Sequence, residues 1–417
     1  MNNMETYSVV KSNRWARFTL IELLCGLYFM HKALPTIGFY MPSIVYLALF
    51  AGLFLLTFGG MRLTASTFGR SQFFILLLPA VLYFIRYCLK GNISGGGMYV
   101  VAELQTILYG FIVIYYFEKF DRYAIKRLFV FVIFCYCITA ITTIVGCTHY
   151  PLASRVLATT ESTSNEIYKL YSSMNIGGFT FVYELVLITP IVIYLIKNKA
   201  VSKIIGFGIL ILFAYTIVKA EYTTALIFYV LSLVLFFIPE LNGKKVIGIL
   251  LIGFVLSIFA SGFIGNVFSA IASNMNSVTL SSRFNYIGNL LNGNEITNTM
   301  FSGNRMVLYE KSWNAFLSTF GVGGWSRDIA GGHSFLLDLM AYFGVIGIVC
   351  FIIVSRSIYF HNIKPFKHKK IYGYILWSFI LTIFLAILNP KLNYYYFIFI
   401  TPLFALTFEN EEDEKNG

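Results

Sequence analysis

Charge is what this chain has least of. Asp, Glu, Lys and Arg make up 12% of its 417 residues, about half the share of a soluble domain. That scarcity excludes a large water-soluble core and points to a polytopic membrane protein. Aspartate is scarcer still: Asp121, Asp328, Asp338 and Asp413 are all there are, and no two form a D-x-D pair. A nucleotide sugar held through a metal by such a pair is therefore not expected. There is no G-x-x-x-x-G-K-[ST] stretch, which excludes an ATP motor. No CxxC or Cys/His cluster has zinc spacing, so no metal is expected. The six cysteines, Cys25, Cys88, Cys135, Cys137, Cys147 and Cys350, lie in or at the rim of apolar runs and read as small buried residues. Cys88 and Cys147 share a rim, where a disulfide is open to them but not demanded. The apolar stretch from Phe18 to Met30 follows Lys11, Arg14 and Arg17 and lacks an A-x-A cleavage site, so it reads as an uncleaved first span. No internal repeat and no Pro-rich or Ser-rich linker divides the chain, so residues 1–417 read as a single membrane domain.

What is present is hydrophobic sequence, 58% of the chain, with a mean hydropathy of +0.75. A helix needs about 20 apolar residues to cross the bilayer core. Twelve runs qualify: 18–35, 37–60, 72–89, 98–117, 127–147, 176–196, 203–219, 223–239, 245–264, 334–355, 371–389 and 392–408. The pair 203–219 and 223–239 also reads as one broken unit. The predicted fold is all-α and polytopic, with about 12 transmembrane helices. The net charge of +12 is concentrated in short loops between runs. Arg62 with Arg70, Lys119 to Arg127, Lys197 to Lys203, Lys244 with Lys245, and Arg356 to Lys370 all fall on one side with the N-terminal cluster. The positive-inside rule makes that side cytoplasmic. Both termini then lie inside, including the acidic tail Glu409–Glu414, and the surplus charge is no sign of nucleic acid.

The opposite side keeps two outer loops, 148–175 and 265–332. In the second, Met306, Tyr309, Trp313, Phe316, Leu317 and Phe320 recur at helical spacing. They predict an amphipathic helix, lying either at the membrane interface or over the mouth of the bundle. Ionisable residues inside the runs are costly and by default mark a functional path. Arg86, Glu103, Glu184 and Asp338 occupy the outer parts of their runs, with a structural Arg86–Glu103 pair as the alternative; Glu22 lies near the inner end of the first run. Guanidinium forks suit phosphate oxygens. Arg283, Arg305 and Arg327, with His333 and the glycine-rich turn 321–324, read as a pyrophosphate holder, and Asp338 lies below His333. Gly177-Gly178 opens a span, where backbone N–H groups could meet a phosphate or simply pack tightly. Ser94-Gly95-Gly96-Gly97 reads as a flexible turn.

Three stretches resemble the Wzy-type O-antigen and capsular polysaccharide polymerases and the related ligases. Arg155 through Asn175-Ile176-Gly177-Gly178-Phe179 is similar to their first-loop pattern, although Glu166 stands where a glycine would complete it. Arg305 to Gly321 gives Arg, fifteen residues, then Gly, as in their last large loop. Gly332-His333-Ser334 with Asp338, Gly344 and Gly347 is similar to the motif that ends that loop; ligases more often carry His-Asn there. The resemblance implies glycosyl transfer at the outer face of a bacterial cytoplasmic membrane, with no cofactor. The donor would be a glycan on undecaprenyl pyrophosphate and the acceptor one lipid-linked repeat unit, with a chain-length regulator as a partner protein. Arg155, Arg283, Arg305 and Arg327 would bind the pyrophosphate, and His333, then Glu184 or Asp338, would act as base. The alternatives are a lipid-linked oligosaccharide flippase and an O-antigen ligase.

Overall fold

The structure, a computed structural model, describes residues 19–58, 71–117, 122–157, 166–259, 261–275, 277–292, 303–389 and 396–416. The basic residues Lys11, Arg14, Arg17, Arg62, Arg70 and Lys119 lie outside them. The chain is all-α, 83% helical, with no strand among the described residues. Each of the twelve apolar runs carries a helix. Among the described residues, four helical stretches are long and apolar enough to cross a membrane: Gln72–Leu89, Ala124–His149, Phe179–Lys197 and Phe335–Phe366. Runs 203–219 and 223–239 are two helices, Lys203–Lys219 and Thr223–Leu233, separated at Glu221 by a left-handed φ of 58°.

Polar chemistry inside these helices is settled locally. The hydroxyls of Thr57, Thr143, Thr189, Thr216, Ser232, Thr382 and Thr407 each donate to the carbonyl four residues back. An apolar helix can thus bury a hydroxyl without an orphan donor. Side-chain oxygens of Thr19, Ser202, Asn242 and Ser334 cap helix starts. Outward faces stay apolar: Ile44, Phe74, Phe134, Ile204, Ile211 and Leu251 are all exposed. Apolar surface on so many helices has no place in water.

The chain divides into two compact units. The first holds residues 1–74, 102–181 and 395–417. Helix Leu20–Ala33 packs there on Ser43–Phe58 and Arg122–His149. Tyr28 stacks on Tyr46 at 4.8 Å and Phe29 meets Phe399 at 5.5 Å. Buried Glu22 and Arg127, whose side chain is 9% exposed, form a two-pronged ion pair at 2.7 and 2.6 Å.

The second unit holds residues 75–101 and 182–394. The long outer loop expected from 265 is mostly helical. Ser261–Ser273 and Val278–Leu291 form a close hairpin, with Gly265 and Gly288 at the contact. Helix Gly303–Ser318 covers the stretch in which an amphipathic helix is expected. It buries Ser312 and Ala315 against its neighbours and leaves Met306, Trp313, Leu317 and Phe320 exposed on or just beyond the opposite face. Ser94–Gly97 is no flexible turn: it lies in the first turns of helix Ile93–Phe111, capped by Asn92 Oδ1 on Gly95 N at 3.0 Å.

Helix Phe335–Ile358 is broken at Gly344, whose φ of 60° and ψ of −140° suit glycine alone. Residues eight apart in a straight helix are about 12 Å apart, yet a side chain at Gly347 would strike the Leu339 carbonyl. The loop 319–325 fills the break. Gly324 N donates to Ala341 O and Trp325 N to Tyr342 O, both at 2.8 Å, and Val345 N donates to Gly321 O at 2.9 Å. Gly323 has to be glycine, because a Cβ there would overlap the Gly344 amide.

Candidate active site at the broken helix

Asn389, at the end of helix Tyr372–Leu388, gathers the second unit's site. Phe335 N donates to Asn389 O at 2.7 Å, Tyr183 OH meets Asn389 Oδ1 at 3.4 Å, and Tyr309 OH donates to Leu388 O at 2.7 Å. Asn389 Nδ2 is buried with no partner among the described residues. Three helices are thereby fixed at one point. Glu184 follows Tyr183, His333 stands two residues before Phe335, and Arg305 stands one turn before Tyr309. The Arg305 side chain lies outside the described residues; its backbone position shares a helical face with Leu308 and Ser312.

Asp338 builds the turn that carries His333. Its Oδ1 accepts from Ser312 Oγ at 2.7 Å and from Gly332 N at 3.1 Å, and Ser312 Oγ accepts from Gly331 N at 2.7 Å. Gly331 lies so close to the Leu308 backbone that no side chain fits. Ser334 Oγ caps the helix through Leu337 N at 3.1 Å. His333, half-buried, sits in this turn. Asp338 is thus spent on positioning, which argues against it as the proton acceptor.

The expected pyrophosphate ligands have different local settings. Arg283 donates to the Glu221 carbonyl at 3.3 Å, and Ser277 Oγ holds the Glu221 carboxylate at 2.6 Å. The next residue, Tyr222, packs on Tyr183 at 5.9 Å, so Arg283 borders the Asn389 cluster while serving a helix turn. Arg327 is exposed. Arg155 belongs to the first unit, on the short helix Ala153–Val156, where Ser154 Oγ donates to Gly177 O at 2.6 Å. Gly177 N is taken by Thr143 Oγ1 at 2.7 Å, and Gly178 lies against Leu157, so tight packing accounts for that glycine pair. The 321–325 turn likewise spends the amides of Gly321, Gly323, Gly324 and Trp325 within the protein and does not cradle a phosphate.

Arg86 takes Asp328, of its own unit, as partner. Its Nη2 donates to Asp328 Oδ1 at 2.7 Å, its guanidinium stacks on Tyr342 at 3.8 Å, and Lys90 reaches the same Asp328 oxygen. Hydrogen bonding from Lys90 and then Arg86 holds the Asp328 carboxyl below the usual carboxylate range. All six cysteines are free, so the Cys88–Cys147 bridge is absent. Sequence reading missed Ser312, Tyr342 and Asn389. Gly344 and Gly347 were the only sequence hint of a break. No protein-family model, curated protein or solved structure matches this chain.

Proposed function

We propose that this chain is a polysaccharide polymerase of the bacterial cytoplasmic membrane, joining undecaprenyl-pyrophosphate-linked repeat units at its outer face. The observation that carries the reading is the convergence on Asn389. Glu184, Arg305 and His333, up to 149 positions apart in sequence, are brought to one end of one unit. A histidine base candidate and an arginine at the start of a packed helix fit transfer from a pyrophosphate leaving group.

The twelve-crossing arrangement is supported by how helix ends pair. Within each unit, contacts join ends that the count puts on the same side. Lys197 bonds the carbonyls of Leu235 and Ile238 on the inner side, and Glu22 pairs with Arg127 there. Thr36 meets Asn175 on the outer side, as do Arg283 with Glu221 and Arg86 with Asp328. Both termini are then cytoplasmic. The exposed apolar stripe of helix Gly303–Ser318 suits the outer interface.

In this mechanism His333 takes the proton of the acceptor hydroxyl as that oxygen attacks the donor's anomeric carbon. The bond from that carbon to the pyrophosphate oxygen breaks, and the electron pair leaves with the lipid pyrophosphate. Arg305, with Arg283 and Arg327 as further candidates in the same unit, stabilises the developing charge. A single displacement inverts the anomeric carbon. Glu184 is the second candidate base. Asp338 is a positioning residue. A chain-length regulator remains the expected partner protein.

The test is His333→Ala. Cells carrying it display single repeat units and no long chains, because flipping and ligation belong to other proteins. Repeat units trapped on the inner leaflet identify a flippase instead. Normal chains remove His333 from the chemistry.

A further inference from the structure

Arg86 is nine-tenths buried, stacked on Tyr342, and joined to Asp328 through one nitrogen and one oxygen. Its Nε is buried without a hydrogen-bond partner. Lys90 shares that same carboxylate oxygen. Two cations therefore compete for one atom, and a net positive charge is left. Asp328 itself is 77% exposed. It stands just beyond the loop that fills the helix break, three residues after Trp325, which packs on Phe343 beside Tyr342. This arrangement makes Asp328 a poor permanent partner. A guanidinium fork and an ammonium are better matched by a tetrahedral oxyanion, which offers each donor its own oxygen.

We propose that Arg86 and Lys90 form a phosphate-binding site of the substrate's lipid-linked pyrophosphate, with Asp328 as a resident carboxylate that the phosphate displaces. The site rests on the geometry; the source of its phosphate rests on the polymerase reading. Displacement frees the loop 326–330, which leads into the Gly331–Ser334 turn. Arrival of the pyrophosphate is thereby coupled to the segment that carries His333.

The experiment uses the full chain in nanodiscs of phosphatidylcholine, with inorganic pyrophosphate as the probe and calorimetry as the readout. Asp328→Asn removes the competitor and tightens binding about 2- to 5-fold, the range an exposed ion pair is worth. Lys90→Gln weakens binding. Arg86→Lys also weakens it despite the kept charge, because fork and stack are lost. Weaker or unchanged binding in Asp328→Asn overturns the proposal, as does unchanged binding in Lys90→Gln. Loss of pyrophosphate binding when phosphatidylglycerol replaces phosphatidylcholine shows a site for bulk lipid headgroups and overturns the substrate assignment. Polymer made normally by both Arg86→Lys and Lys90→Gln, with pyrophosphate binding unaltered, sinks this site alone. Pyrophosphate binding as expected in a chain that makes no polymer upholds the site and sinks the polymerase reading.

Discussion

Replacing Asp338 separates positioning from chemistry. Its Oδ1 accepts two hydrogen bonds, from Ser312 Oγ and Gly332 N, and the residue is buried. A bond to a charged acceptor is worth about 1.5–3 kcal/mol, so Asp338→Ala forfeits roughly 3–6 kcal/mol of contacts. Removing a carboxylate from an apolar site recovers part of that, leaving a net loss of about 2–4 kcal/mol. Asp338→Asn keeps an acceptor oxygen in place and loses only the charge assistance, about 1–2 kcal/mol. The assay is heat challenge of the purified protein followed by size-exclusion chromatography, alongside the glycan ladder that the proposed polymerase activity would give in cells. Alanine lowers the midpoint strongly and shortens the ladder. Asparagine lowers it slightly and keeps polymer. A double-mutant cycle with Ser312→Ala shows coupling of about 0.5–3 kcal/mol, as for residues in one network. Loss of a general base costs about 10²- to 10⁴-fold in rate. An Asp338→Asn protein with wild-type stability and no polymer would therefore make Asp338 the proton acceptor and refute the reasoning.

Three further outcomes follow from the same structure. Gly344→Ala forces a Cβ onto a positive φ and into the Gly321 carbonyl; it destabilises by about 2–4 kcal/mol, read as a lower melting midpoint, and an unchanged midpoint would show that the helix is not broken there. Arg127→Met leaves Glu22 buried and unpaired at a cost of about 3–5 kcal/mol; adding Glu22→Leu restores most of it, and a double variant as unstable as the single one rules out that account. Val278→Cys, 81% exposed, in a background without the native cysteines, reacts with an impermeant maleimide added outside intact cells; reaction only with permeant reagents inverts the topology.

The helices were legible because run length and apolar composition dictate them locally. Their ends were less so. The helix of run 98–117 starts earlier than expected, at Ile93, because three glycines read as a turn, whereas Asn92 caps that start and Gly96 lets the helix close on Phe84 and Tyr87. Loop 265–332 concealed a hairpin because Gly265, Ser269 and Gly288 weaken an apolar signal while permitting close helix contact. The stripe from Met306 to Phe320 was found by its period, but which side of it is buried is set by Ser312 and Asp338, a tertiary matter.

The site was legible as a set of residue types and hardly at all as an arrangement. Basic and acidic residues in outer run ends are visible by composition, so Arg86, Glu184, His333 and Asp338 could be picked out. Their partners lie far along the chain: Arg86 and Asp328 are 242 positions apart, and Tyr183 and Asn389 are 206 apart. No local period encodes such pairs. Exposure decided one role: Asp328 looked unremarkable in a polar loop, yet it is the carboxylate that reaches two cations. Burial decided another: Asp338 has the ordinary look of a base below a histidine, yet its oxygen is occupied by a hydroxyl and an amide. What glycines encode here is clearance. Gly323, Gly331 and Gly344 are each where backbone meets backbone without room for a Cβ, and together they let a loop enter a broken helix. A break of that kind gives the chain backbone that is not helical but whose amides at Gly321, Gly323, Gly324, Trp325 and Val345 are hydrogen-bonded within the protein, the condition under which such backbone is tolerated in an apolar setting. On the proposal above, the same condition holds His333 just before a helix start while Asp328, on the segment leading to it, exchanges its place on Arg86 for a phosphate.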